Sequence, residues 1–214
     1  MSEVIAFSPV VEQRSPEWFQ QRLGKATASR IADVVATTKS GYSTKRANYA
    51  AELVTERLTG VQAERYQNDA MRWGTEKEPL AKDALEFYRG YSVEEVGFVP
   101  HPKIDQSGAS PDGLVGSDGL VEIKCPLQTA IHIEALLKQN VDGGYLTQMQ
   151  WQMACTGRRW CDYVSFDPRL PANMQLFTKR VLRDDVMIDR LEKEVRSFLA
   201  EVDETISKLR SIYG

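Results

Sequence analysis

A mixed α/β fold, with a central β-sheet flanked by helices, is the class this sequence predicts, and three observations predict it. Apolar residues recur at helical spacing before Gly90 and again after Asp184. Between those points, short apolar runs such as Leu114-Val115 and Leu120-Val121 alternate with Gly, Asp and Ser in the manner of strands and turns. Finally, 214 residues with 42% hydrophobic content suit one globular unit with a sizeable core. We expect a single domain over residues 1–214. It comprises an N-terminal helical part (about 15–90), a sheet core (about 91–182) and a C-terminal helix (about 184–213).

Each element has a local reason. Ser15-Pro16-Glu17 reads as an N-cap followed by proline at the first helical position, with Trp18, Phe19 and Leu23 as an apolar side and Gly24 as the stop. Thr27 or Ser29 caps a second helix reaching about Thr38, where Lys39-Ser40-Gly41 breaks the chain. Residues Lys39 to Arg46 read as a mobile basic loop. A third helix is expected from Ser43 to Leu58. A long one runs from about Asn68 to Arg89, carrying Trp73, Leu80, Leu85 and Phe87 and ending at Gly90. Strands are expected at Ser92 to Val99, Ile104 to Ala109, across 112–124, at Tyr163 to Phe166 and at Met174 to Val181. Helices at about 128–139 and 144–155 cover the sheet. From Asp184 to Tyr213, Val186, Leu191, Val195, Phe198, Val202, Ile206 and Leu209 form an apolar helical stripe.

Composition excludes several classes. The net charge is −3, so a nucleic-acid surface would have to be a local basic cluster. No run of about 20 apolar residues and no charged-then-apolar leader is present, which predicts a soluble, cytoplasmic protein with no membrane partner. Cys125, Cys155 and Cys161 are odd in number and lack metal spacing, so buried free thiols are expected. The two histidines, His101 and His132, have no second histidine at ligand spacing and read as structural or surface groups. The absence of a G-x-x-x-x-G-K-[ST] loop and of a G-x-S-x-G elbow points away from ATP-driven motors and α/β hydrolases.

The stretch Ser110 to Pro126 carries the chemistry. Gly116-Ser117-Asp118-Gly119 between two apolar runs predicts a β-hairpin. A three-residue loop at 117–119 would pair 116 with 120, 114 with 122 and 112 with 124, leaving Asp112, Glu122 and Lys124 on one face and Ile123 in the core. A two-residue Asp-Gly turn would instead put Asp112 on the other face unless a bulge intervened. In the first register the two carboxylates are diagonal neighbours about 7–8 Å apart, a span that one hard cation such as Mg²⁺ or Mn²⁺ can bridge. A lysine beside such an ion can orient a water or neutralise transition-state charge. The plainer reading is an exposed hairpin with solvated charges. A second cluster, Arg22, Lys25, Thr27, Ser29 and Arg30, surrounds a loop entering a helix, and reads either as an anion site or as an ordinary capped helix.

Ser110-Pro111-Asp112 followed by Glu122-Ile123-Lys124 resembles the P-D…E-x-K signature of the restriction-endonuclease-like nucleases. Together with L-G-K-A-T-A-S (Leu23 to Ser29), W-G-T-E-K-E (Trp73 to Glu78), E-I-K-C-P and Q-M-Q-W-Q-M (Gln148 to Met153), it resembles the phage lambda exonuclease family of viral alkaline exonucleases over about residues 15–170. The resemblance implies a restriction-endonuclease-like core and a Mg²⁺-dependent 5′ to 3′ exonuclease acting on double-stranded DNA ends without ATP. It implies Asp112, Glu122 and the Ile123 carbonyl as metal ligands, and Lys124, Glu78 and Gln148 as catalytic support. Arg22, Thr27, Ser29 and Ser110 would grip the 5′-phosphate. Met71 stands where the family has a wedge that parts the terminal base pair. The resemblance also implies a homotrimeric ring, a single-strand annealing partner in recombination, and a bacterial or phage-infected host cytoplasm. Taken alone, Glu78 reads as a solvated helical face, Gln148 with Gln150 and Gln152 as amphipathic surface, and Met71 as core filler. An endonuclease of the same superfamily and a non-catalytic DNA-binding module are the alternatives.

Overall fold

The structure, a computed structural model, describes residues 11–62 and 68–214. Helix α1 (Pro16–Arg22) starts where Ser15 Oγ accepts from Trp18 N–H, and the chain leaves it through Gly24 at φ +67°. Strand β1 (Ala26–Thr27) follows, and one 3₁₀ turn (Ala28–Arg30) leads into a short α2 (Ile31–Val35). The expected second helix therefore stops early. Its last residues become β2 (Thr37–Thr38), which pairs antiparallel with β3 (Gly41–Tyr42). β-Branched Thr37 and Thr38 favour extended backbone, and Thr38 Oγ1 closes the turn by accepting from Ser40 N–H and donating to the Gly41 carbonyl. Thr27 makes no side-chain cap. The expected basic loop is also more structured at its end. Arg46 is buried, donating to the Val34 carbonyl and pairing with Glu201.

Helices α3 (Thr44–Thr59) and α4 (Asp69–Arg89) begin at Ser43 and Asn68, whose side chains accept from the first turn, and end at Gly60 and Gly90 in the left-handed region. On α4 only Ala81 and Leu85 are buried, whereas Leu80 and Phe87 face solvent, because this helix meets the sheet along one narrow face. The expected strand from Ser92 to Val99 is not a strand. Glu94 makes one bridge to Leu114, Val93 N–H donates to Glu86, and Gly97 lies where a Cβ would come within 2.7 Å of the Val11 carbonyl. Regular pairing begins at β4 (Val99–His101), antiparallel to β5 (Ile104–Ala109), which runs parallel to β1.

The second larger sheet has the order β6-β7-β8-β9, with β6 (Gly113–Val115), β7 (Gly119–Lys124), β8 (Trp160–Phe166) and β9 (Leu176–Leu182). β7 and β8 are parallel, so the sheet is mixed. β8 starts earlier than expected, and Met174 sits in a 3₁₀ turn rather than in β9. The βαβ-type crossover contains α5 (Thr129–Lys138) and α6 (Gly143–Thr156). α6 is buried from Met149 to Thr156 and packs against β4, β5 and β8, so it lies between the two sheets and does not merely cover one. α7 (Asp185–Tyr213) lays its apolar stripe on α2 and α3, with Val186 exposed. The three cysteines are free and buried, and both histidines are buried.

Candidate active site

The β6–β7 hairpin sets the geometry. Val115 pairs with Gly119, Leu114 with Leu120 and Gly113 with Val121, so the loop is Gly116-Ser117-Asp118. It has the expected three residues but lies one place earlier, with Gly116 at φ +52° as the left-handed residue. The reason is at Gly119, where a Cβ would lie 2.1 Å from the Trp160 ring, so this glycine belongs in the strand beneath that ring. Arg158, buried, locks the loop by donating to the carbonyls of Val115, Gly116 and Gly119. The pairing ends at Gly113, and just before it the Asp112 N–H donates to the Val121 carbonyl at 3.2 Å, which sets Asp112 beside Glu122 and not across from Lys124, as a 112–124 pair would have it. Asp112, Glu122 and Lys124 line the same cleft, while Ile123 is buried among Ala81, Leu85 and Val164.

Asp112 Oδ2 accepts from Ile123 N–H at 2.6 Å. Glu122 is buried and held on both oxygens. Oε1 accepts from Gln148 Nε2 at 2.7 Å and pairs with the Lys124 ammonium, and Oε2 accepts from Gln152 Nε2 at 2.5 Å. Burial and the facing Glu122 push the Asp112 carboxyl well above the usual carboxylate range, against the pull of Lys124. For Lys124 burial works downward, but Glu122 and Asp112 outweigh it and raise the ammonium above its ordinary range. Its Nζ lies 5.0 Å from the Tyr145 ring. Glu78 approaches from α4 and meets Arg14 at 2.5 Å. Gln13 donates to the Val96 and Pro111 carbonyls, tying this segment beside Asp112.

The anion cluster is partly assembled. Ser110 Oγ accepts from Arg22 Nη1 at 2.9 Å and from Trp18 Nε1 at 3.0 Å, and the Arg22 guanidinium lies 4.2 Å above the Trp18 ring. Arg22, Ser29, Met71, Glu78, Ser110, Asp112, Glu122, Ile123, Lys124 and Gln148 all line one cleft of about 530 Å³. Thr27 does not line it. Its side chain is buried against Tyr49, whose Oη accepts from the Thr27 N–H. Arg30 is also drawn away, into ion pairs with Asp33 and Glu52.

Among the described residues no group of three or more His, Cys, Asp or Glu forms a ready metal cage. Two carboxylates and the Ile123 carbonyl are hard oxygen donors, which fits an ion that keeps several waters, as Mg²⁺ does. The elevated Asp112 carboxyl supports that fit, because two facing acids beside one ammonium leave negative charge for a divalent cation to neutralise. Sequence reasoning missed Arg14, Gln13 and the second donor to Ser110, Trp18, which reads only as apolar. The reading of Gln150 and Gln152 as amphipathic surface is also corrected, since both are buried, and Gln152 shares a helix face with Gln148 at i,i+4.

The profile of the YqaJ-like viral recombinase domain matches residues 17–159. The chain belongs to this family. LHK-Exo, an alkaline exonuclease from Laribacter hongkongensis, is similar at 51% identity and a TM-score of 0.85, over 92% of this chain and 97% of that one. Its complex with dAMP gives a TM-score of 0.86 over the same shares and at the same identity. A phage-related exonuclease from Haemophilus somnus 129PT shares the fold at 18% identity and a TM-score of 0.71, over 86% of this chain and 96% of that one. No curated protein matches the chain significantly. The restriction-endonuclease-like α/β fold and the nuclease class expected from the motifs are thereby supported, and the chain is an enzyme of that class.

Proposed function

We propose that this enzyme is a Mg²⁺-dependent exonuclease that degrades one strand of double-stranded DNA from its ends, 5′ to 3′, releasing 5′-mononucleotides and leaving a 3′ single strand. The observation that carries the reading is the continuity of one cleft from the Arg22–Ser110 pair to Asp112, Glu122 and Lys124. A phosphate grip and a hydrolytic centre lie in one groove, two residues apart in sequence at Ser110 and Asp112. Asp112, Glu122 and the Ile123 carbonyl hold the ion, with Mn²⁺ a substitute. Bound there, the ion supplies Lewis-acid stabilisation of charge on the phosphoryl group. Lys124 adds an ammonium aimed at the same charge. Gln148 holds Glu122 in place and presents an amide to the cleft, and Glu78 faces the pair from the opposite wall. Arg22, Ser29 and Ser110 hold the terminal 5′-phosphate, and Met71, half exposed at the rim, wedges the end of the duplex. No ATP is needed.

Further along the same reading, three copies form a ring around the DNA, and a single-strand annealing protein takes up the 3′ strand in the cytoplasm of a bacterium or an infected host. A ring lets a chain of net charge −3 present its cations inward. Light scattering is expected to give a trimer, and a monomer would contradict the ring. The activity is tested by giving purified protein linear and covalently closed duplex DNA with Mg²⁺ or chelator. Mononucleotides released only from linear DNA, only with Mg²⁺ and not by Lys124→Ala, are expected. Nicking or linearisation of the closed circle would replace this reading with an endonuclease.

A further inference from the structure

The buried pair Gln152 and Cys161 lies behind the candidate metal centre, and nothing so far requires it there. Gln152 is fully buried on α6, one turn after Gln148, so both amides leave the helix on the face turned to β7. Each takes a different oxygen of Glu122, Gln148 the Oε1 at 2.7 Å and Gln152 the Oε2 at 2.5 Å. The Gln152 amide is also oriented from behind. Its Oε1 lies 4.0 Å from Cys161 Sγ on β8, the outer limit of a weak S–H···O contact. Reversing the amide would turn its oxygen on the carboxylate, losing the stronger contact, and would leave the thiol only its weak acceptor role towards the NH₂. The chain Cys161, Gln152, Glu122 thus runs from the core to the cleft with one donor direction throughout.

We propose that Gln152, oriented by Cys161, is a positioning residue that fixes the rotamer of Glu122 for the divalent cation and so sets the affinity of the site for metal. This rests on the reading of Glu122 as a metal ligand. With Gln148 and Lys124 both on Oε1 and no donor on Oε2, the carboxylate would keep freedom about its last torsion, which is broad for such sp²-terminated side chains. Two amides on opposite oxygens remove that freedom before the ion arrives. Hydrogen-bond partners standing behind metal ligands characteristically govern affinity by about 10–100-fold.

The test is calorimetric titration of Mn²⁺ into DNA-free protein, alongside thermal melting in chelator. Gln152→Leu is expected to weaken Mn²⁺ binding about 10–100-fold, and unchanged or tighter binding with only a lower melting temperature would overturn the proposal as a plain packing role. Because Gln152→Leu can fail to fold, Cys161→Val and Cys161→Ser form a second pair. Valine, which lacks a donor, is expected to weaken Mn²⁺ binding more than serine, which keeps one, and equal affinities would overturn the relay. Glu122→Gln separates the layers. Wild-type Mn²⁺ affinity in Glu122→Gln would overturn the metal reading itself, whereas lost affinity there with wild-type affinity in Gln152→Leu would overturn only the role of Gln152.

Discussion

Arg22 and Ser110 meet at 2.9 Å although 88 residues separate them in the chain, and they join α1 to the segment that leads into the β6–β7 hairpin. Trp18 donates to the same hydroxyl, so the Arg22 fork is presented to the cleft by an aromatic shelf and a shared acceptor. Charge-assisted hydrogen bonds are worth about 1.5–3 kcal/mol, or about 10- to 100-fold in binding. Arg22→Ala is expected to raise KM for 5′-phosphorylated ends by about that factor and to leave 5′-hydroxyl ends unaffected. Arg22→Lys should recover only part, since a point charge cannot reproduce a fork. Steady-state kinetics on the two kinds of end make the comparison.

Asp112 facing Glu122 implies a site that is costly without metal. The folded state holds a proton on Asp112 more tightly than the unfolded chain does, so this group stabilises at low pH. That stabilisation is lost as pH rises through its elevated value. Asp112→Asn is therefore expected to melt higher than wild type in chelator, by a margin that widens with pH, while losing nuclease activity. Melting curves over a pH series check it, and a lower melting temperature at every pH would count against the facing arrangement.

His101 gives an opposite slope. Burial lowers it from 6.5 to about 4, against the pull of Glu192, and its ring stacks on Trp151. The unfolded chain then takes up a proton below pH 6.5 that the folded state refuses, so stability falls as pH drops from about 6.5 towards 4. His101→Phe is expected to flatten that limb in chemical denaturation between those pH values.

Arg158 reads as a register clamp, because its guanidinium satisfies the carbonyls of Val115, Gly116 and Gly119 at the hairpin loop. Arg158→Met keeps the stem and strands those acceptors. A loss of about 2–3 kcal/mol in urea unfolding is expected, with nuclease activity falling further than the folded fraction if Asp112 drifts from Glu122.

Met71 is exposed at the cleft rim on α4. As a wedge it acts only where base pairs must part. Met71→Ala is expected to slow digestion of blunt duplex ends several-fold and to spare ends already frayed by mismatches, and an equal loss on both would assign Met71 to general packing.

Much of this site was legible in the sequence because its chemistry is local. Asp112, Glu122 and Lys124 line one cleft although the loop lies one residue earlier than expected, so these three groups come together all the same. What placed the loop was Trp160, 41 positions beyond Gly119, whose ring leaves no room for a Cβ there, and no window of the hairpin contains that fact. The second helix was overextended for a similar reason, since Thr37 and Thr38 carry no apolar period and are free to pair with Gly41 and Tyr42. Thr27 matched a family position yet points its hydroxyl into the interior. The contacts of Arg14, Gln152 and Cys161 were not legible because their partners lie 64, 30 and 9 residues away.

The most direct test uses a linear duplex with a 5′-phosphate at one end, a 5′-hydroxyl at the other, and a distinct 3′ label on each strand. With Mg²⁺, the strand bearing the 5′-phosphate is expected to shorten from that end into mononucleotides while its partner survives intact, and chelator should stop the reaction. Equal attack on both ends, or shortening from the 3′ labels, would contradict the coupling of the Arg22–Ser110 grip to the Asp112–Glu122 centre.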